Sequence, residues 1–216
     1  MDDGMGLRER KKLETRQALS RAALRLAVER GLENVLVEDI AAAAGVSART
    51  FNNYFSSKAE AITSRQVDRG RRLAVQVRLR PQEESLWEAI LEAALAEFGS
   101  ESGSESGGAS EGVEQPDPEW TAGVRLMVSE PALIGELSRA GTEVERELAR
   151  AIAERTGTDV EQLYPRLVAA SVGAAIQVAT DRWVHADPPV PLKPLVREAI
   201  TQVAAGLPEP STSGTP

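Results

Sequence analysis

Apolar residues return at the spacing of an α-helix along most of this chain, and that period limits its fold more than any other feature. Leu19, Ala22, Ala23, Leu26 and Ala27 stand at i, i+3, i+4, i+7 and i+8, so residues 11–30 read as an amphipathic helix stopped by Gly31. A short second helix over 37–44 carries Glu38 and Asp39 in its first turn, where the helix dipole favours acids, and Gly45 breaks it. Ser47 is a suitable N-cap for a third helix running to about Phe55. Ser57-Lys58-Ala59-Glu60 has the form of a capping box opening a fourth helix, which ends near Arg80 before Pro81.

The same period continues. Leu86, Trp87, Ile90, Leu91, Ala94, Leu95 and Phe98 line a fifth helix, and residues 99–116 then turn to Gly, Ser and Glu, the composition of a flexible acidic loop. Asp117-Pro118 opens a sixth helix through Trp120, Val124 and Met127, and Pro131 opens a seventh that carries Leu133, Leu137, Val144, Leu148 and Ile152 up to Gly157. The eighth runs over 164–185, from Tyr164 to His185, and the ninth over 192–206, from Leu192 to Gly206. Residues 208–216 read as a disordered tail. With only eight aromatic side chains, the apolar content is mostly Ala, Leu, Val and Ile, which suits close-packed helices. The expected fold is all-α with about nine helices.

Several chemistries are excluded at this level. There is no cysteine and one histidine, so disulfides, thiolate catalysis and Cys- or His-pair metal sites are not expected, and no cofactor is implied. His185 reads as a solvated helix-end residue. No catalytic residue is assigned, because the acids fall on solvent faces or in the acidic loop rather than clustering beside a nucleophile. The chain has no apolar run of membrane-spanning length and no secretory signal, which leads us to expect a cytoplasmic protein without a membrane partner.

Net charge is −8, an unpromising figure for a nucleic-acid binder until it is divided along the chain. Residues 5–58 carry ten Lys or Arg against six acids, whereas 61–216 carry 15 against 24. The positive excess therefore sits in the segment that reads as a long first helix followed by two short ones joined through Gly45-Val46, an arrangement in which the second short helix enters a DNA groove. At 100° per residue, Phe51 and Phe55 of that helix fall together. Arg49, Asn52, Asn53 and Ser56 share the opposite arc, with Thr50 and Tyr54 on one flank. A guanidinium and two amides then face outward, the groups that pair with guanine and adenine edges.

Thr15-Arg16, Ala22-Ala23, Gly31, Val37-Glu38-Asp39-Ile40-Ala41, Ala44-Gly45-Val46-Ser47, Arg49-Thr50-Phe51, Tyr54-Phe55 and Ser57-Lys58 together resemble the DNA-binding domain of the TetR family over residues 8–62. That resemblance implies a double-stranded DNA operator as partner. It places Ala48, Arg49, Asn52 and Asn53 towards bases and Thr50, Tyr54 and Lys58 towards phosphate, with Arg16 and the 8–12 arm as further backbone contacts. It also implies a division into a DNA-binding domain at 1–56 and a helical ligand-binding and dimerisation domain at 57–207. The chain departs from the family at Val35-Leu36, where two threonines are usual, so the start of the second helix is expected to shift for want of a hydroxyl cap.

The eighth helix is rich in small residues (Ala169, Ala170, Ser171, Gly173, Ala174, Ala175), which permit close approach. With Leu195, Val196, Ile200 and Val203 of the ninth it reads as half of a four-helix homodimer interface, or otherwise as an ordinary internal core. Trp87, Leu91, Trp120, Val124, Met127 and Leu137 are candidates for lining an effector site. Arg125 and Arg139 are placed to meet an anionic group. The run Arg125-Leu126 to Glu130-Pro131-Ala132-Leu133, with Asp181-Arg182-Trp183, is similar to a branch of the family associated with acyl-coenzyme-A-like ligands. The expected function is thus a ligand-responsive regulator, most simply a repressor released by a small apolar or acyl-like effector. The alternatives are a constitutive architectural DNA-binding protein without effector and an enzyme carrying a DNA-binding head.

Overall fold

The computed structural model describes residues 6–98 and 118–207. The expected loop at 99–116 and tail at 208–216 lie outside the described residues. Those residues form nine α-helices and one 3-10 turn, with no strand: α1 (Leu7–Arg30), the turn Leu32–Asn34, α2 (Val37–Ala43), α3 (Ala48–Asn52), α4 (Lys58–Leu79), α5 (Leu86–Phe98), α6 (Pro118–Ser129), α7 (Pro131–Thr156), α8 (Leu163–Val184) and α9 (Leu192–Ala204). None of them is long and apolar enough to cross a membrane.

The boundaries follow the local signals, with three differences. α1 begins four residues before the period alone suggests, so Arg8, Arg10, Lys11 and Lys12 stand exposed on a helix rather than on an arm. α3 is shorter than expected. It ends at Asn52, and Asn53–Phe55 continue as a tight turn in which the N–H groups of Tyr54 and Phe55 both reach the Phe51 carbonyl, at 2.9 and 3.0 Å. The third difference is at the Val35-Leu36 departure, where α2 still starts at Val37 despite the missing hydroxyl. Asp39 supplies the cap from the other side, its carboxylate accepting the Leu36 N–H at 3.1 Å. Val35 fills the core (1% exposed) while Leu36 stands 60% exposed.

Packing divides the chain into two compact units. One comprises Met1–Arg69 and Pro118–Thr142, so α6 and the first half of α7 gather with α1, α2, α3 and the first turns of α4. Leu19, Leu26, Ile40, Phe51, Met127 and Leu133 are among its buried side chains. At Gly123 of α6, an added Cβ would stand 2.8 Å from Cδ2 of Leu24 on α1, so this glycine is what allows α6 to lie against α1. This division by packing cuts the chain elsewhere than the division at residue 56 that the family resemblance leads one to expect.

The second unit, Gly70–Asp117 and Glu143–Pro216, buries Leu73, Val77, Ile90, Ile152, Val172 and Val196, and within it α5 and α8 pack on α9. The connection from α4 to α5 is a knot of charge. Arg155 of α7 donates to the carbonyls of Arg80 (3.0 Å), Pro81 and Glu84 (2.8 Å), while Arg80 forms a two-pronged ion pair with Glu84. The Arg80 hydrogen bond holds the Glu84 carboxyl below the usual carboxylate range, aided by Arg80 and Arg155 charge and opposed by desolvation. Ser85 and Glu88 cap α5 reciprocally, at 2.9 and 3.3 Å, and the Ser85 hydrogen bonds lower the Glu88 pKa as well.

Candidate nucleic-acid interface

The turn between α2 and α3 is built from backbone. Gly45 takes φ +71°, its N–H bonds to the Ala42 carbonyl at 3.1 Å, and the Val46 N–H returns to the Ala41 carbonyl at 2.9 Å. This is a Schellman closure, and it needs a residue without a Cβ at the left-handed position. Two residues on, the Ser47 hydroxyl accepts the Thr50 N–H at 3.1 Å and so opens α3.

α3 is only five residues long, too short to hold itself together, and its stability comes from the face it buries. Phe51 is fully buried and Phe55 is 2% exposed, their rings 5.7 Å apart and tilted by 48°. Ile40 is buried in the same unit, while Ala44 stays half-buried. On the other side Arg49, Asn52, Asn53 and Ser56 are all exposed, and Ala48, Thr50 and Tyr54 lie at intermediate depth along the edges. The Thr50 hydroxyl shares a 2.9 Å hydrogen bond with Ser47. Glu60 accepts from both the N–H and the hydroxyl of Ser56, at 2.7 and 2.6 Å, and the Ser57 hydroxyl caps α4 through the Glu60 N–H at 3.0 Å.

Two of the cations that the family resemblance turns towards phosphate are engaged within the protein. Lys58 Nζ donates to the carbonyls of Leu32 (2.6 Å) and Val35 (3.1 Å), closing the ends of the 3-10 turn. Arg16 pairs with Asp68 of α4, and its guanidinium lies 5.1 Å above the Phe55 ring centre. Asp68 and the 3-10 turn carry no obvious motif, and the Arg16 pairing joins positions 52 residues apart. No local signal would have found it.

The six effector-site candidates fall in different units. Trp120, Val124 and Met127 are buried in the first, with Leu137 half-buried, whereas Trp87 and Leu91 are half-buried in the second. Two guanidiniums one turn apart on α4, those of Arg65 (4.5 Å) and Arg69 (4.8 Å), lie against the Trp120 ring, and periodicity singles out neither. Arg139 pairs with Glu136 at 2.6 Å, and Arg125 is exposed.

α8 carries an outward stripe of Leu163, Leu167, Ala170, Ala174 and Val178 at spacings of four, three, four and four. Leu195, Val196 and Ile200 of α9, which the sequence offered to a second copy, are instead spent inside their own unit, as are Ala169 and Ala175. Among the described residues no cluster of acids or His has the makings of a metal site.

A five-residue helix and the turn after it, presenting an arginine and two asparagines, held behind a glycine turn and packed against α2, define a helix-turn-helix protein. Residues 19–61 match the family of bacterial regulatory proteins of the tetR type, and residues 107–208 match the MftR C-terminal domain of the same family. The chain belongs to the TetR family, whose members are non-enzymatic DNA-binding transcription factors. It is 35% identical over 155 residues to the HTH-type transcriptional regulator TcmR of Streptomyces glaucescens, covering 71% of this chain and 65% of that relative's length. Its fold is like that of SmeT, the repressor of the Stenotrophomonas maltophilia multidrug efflux pump SmeDEF (TM-score 0.57, 17% identity, 94% of this chain and 98% of that one). The fatty acid degradation regulator FadR of Bacillus halodurans is similarly related in fold (TM-score 0.57, 17% identity, 95% and 98%).

Proposed function

We propose that this protein is a cytoplasmic, homodimeric, ligand-responsive transcription regulator, a repressor released from a pseudo-palindromic operator by a small, largely apolar effector. The observation that carries this reading is the exposed Arg49, Asn52 and Asn53 edge of α3, which makes no side-chain hydrogen bond among the described residues while the Phe51–Phe55 side is fully used. Arg49 suits a guanine edge and the two amides suit adenine, while Ala48 brings a methyl-sized contact. Thr50 and Tyr54, half-exposed on the flank, are the proposed phosphate contacts. Lys58 joins them through the N–H left over from its two carbonyl bonds.

The α8 stripe supports a homodimer, since exposed Leu167, Ala170, Ala174 and Val178 form an apolar strip that a second copy would remove from water. The effector site is sought within residues 57–207, where the apolar candidates are Trp120, Val124, Met127 and Leu137 in the first packed unit and, separately, Trp87 and Leu91 in the second. Unbroken α4 supplies a route for its influence, carrying Lys58 at one end and Leu79 at the other. A ligand that favours the DNA-incompetent state must be weakened by DNA in the same measure, typically about 1 to 3 kcal/mol.

The test begins by enriching a duplex from a random-sequence pool with the purified protein. Arg49→Ala should then cost about 1 to 3 kcal/mol at one base position. Uniform binding of all sequences by parent and variant alike would remove the base-reading role. Titration of the enriched duplex with and without a bound acyl ligand addresses release, and equal affinity in both states would favour a constitutive architectural role.

A further inference from the structure

α4 is fastened to α1 and its following turn at three levels. Lys58 holds the Leu32 and Val35 carbonyls, the Ser64 hydroxyl meets that of Ser20 at 3.0 Å in a buried position, and Asp68 holds Arg16. Residue numbers rise along one helix as they fall along the other, so this is an antiparallel polar seam within a single packed unit. Arg16 is its last member, and its guanidinium also lies over Phe55 in the turn between α3 and α4.

We infer that Arg16 is a positioning residue: gripped by Asp68 and laid over Phe55, it fixes the attitude of α3 on α1 and α4, and it is not a phosphate ligand. The physical case rests on what a phosphate would have to displace. The pair is about seven-tenths shielded from solvent, with side-chain exposures of 27% and 29%, so its carboxylate competes on better terms than a surface acid would. Turning the guanidinium towards DNA would also give up both the ring contact and the part-buried ion pair with Asp68. While the pair stays closed its net charge is zero, and it releases no counterion when DNA binds. The planar fork is essential to both contacts, and an ammonium would reproduce neither.

This inference rests on the DNA-binding reading above, and the experiment separates the two. Arg16→Gln, Asp68→Asn, the double variant and Arg16→Lys are titrated against the duplex enriched by the parent protein and against a random duplex, over a salt series, with helical circular dichroism and thermal unfolding confirming the fold. A positioning role predicts that each single variant loses affinity for the enriched duplex on the order of tenfold, that the double is no worse than the poorer single, and that random-duplex binding and the salt slope are unchanged. Arg16→Lys should lose as much as Arg16→Gln. A phosphate role predicts the contrary: Arg16→Gln weakens both duplexes with the slope falling by about one, Arg16→Lys is spared, and Asp68→Asn tightens binding. That pattern, or no change in any variant, overturns the inference. Failure of the parent to enrich any duplex overturns the DNA-binding reading and this inference with it.

Discussion

Gly123 of α6 and Leu24 of α1 stand so close that a Cβ on the glycine would lie 2.8 Å from one Leu24 methyl and 3.1 Å from the other. The leucine branch carbon is equally near, so no single rotation of its side chain clears the space. Gly123→Val is expected to cost about 1 to 3 kcal/mol through overpacking. Gly123→Ala should cost less, because helix propensity returns up to about 1 kcal/mol. Denaturant unfolding measures both. Adding Leu24→Ala to Gly123→Val should recover part of the loss, and a double variant worse than either single would show that Leu24 is not the obstacle.

Ala174 lies near the middle of the outward α8 stripe. Ala174→Glu would place a carboxylate where a second copy is proposed to sit, and its desolvation would be uncompensated. The expected result in sedimentation is a folded monomer that binds operator weakly, because half of the palindrome supplies too little energy. Dimers of unchanged strength for Ala174→Glu and Gly173→Glu would move the interface away from α8.

Acid should loosen the α4–α5 connection before it reaches the apolar cores. Glu84 and Glu88 have folded pKa values below the usual range, Glu84 through its Arg80 hydrogen bond and Glu88 through Ser85. A depressed carboxyl contributes stability that is full above its unfolded pKa, about 4.3, and is lost as pH falls through the folded value. Stability should therefore decline from near pH 5 downward, and Glu84→Gln should lower it at neutral pH while flattening that decline. An equally steep acid limb in Glu84→Gln would assign the effect to other carboxylates.

The parts of the molecule that were legible in the sequence are those whose cause is local. Gly31, Gly45, Pro118, Pro131 and Gly157 punctuate the helices in the chain as they do in the structure. The two faces of α3 follow from its period alone. Amphipathicity says that a face will be buried without saying against what, which is why Leu195, Val196 and Ile200 pointed equally to a partner and to the interior. Asp68 was invisible for a different reason, since its partner Arg16 is 52 residues away and no periodicity couples them. The first packed unit is likewise assembled from two stretches separated in sequence, and no composition shift marks the join within α7.

The closure at Gly45 has a consequence for how such a protein changes over generations. Its hydrogen bonds run entirely between main-chain atoms, and the weight of α3 rests on Phe51 and Phe55, so the fold asks nothing of Arg49, Asn52 or Asn53. Vocabulary and grammar are thus kept on separate residues. The three letters that would spell a target can be rewritten at little thermodynamic risk, and a duplicated copy of the gene is free to acquire a new address while its scaffold stays as it was.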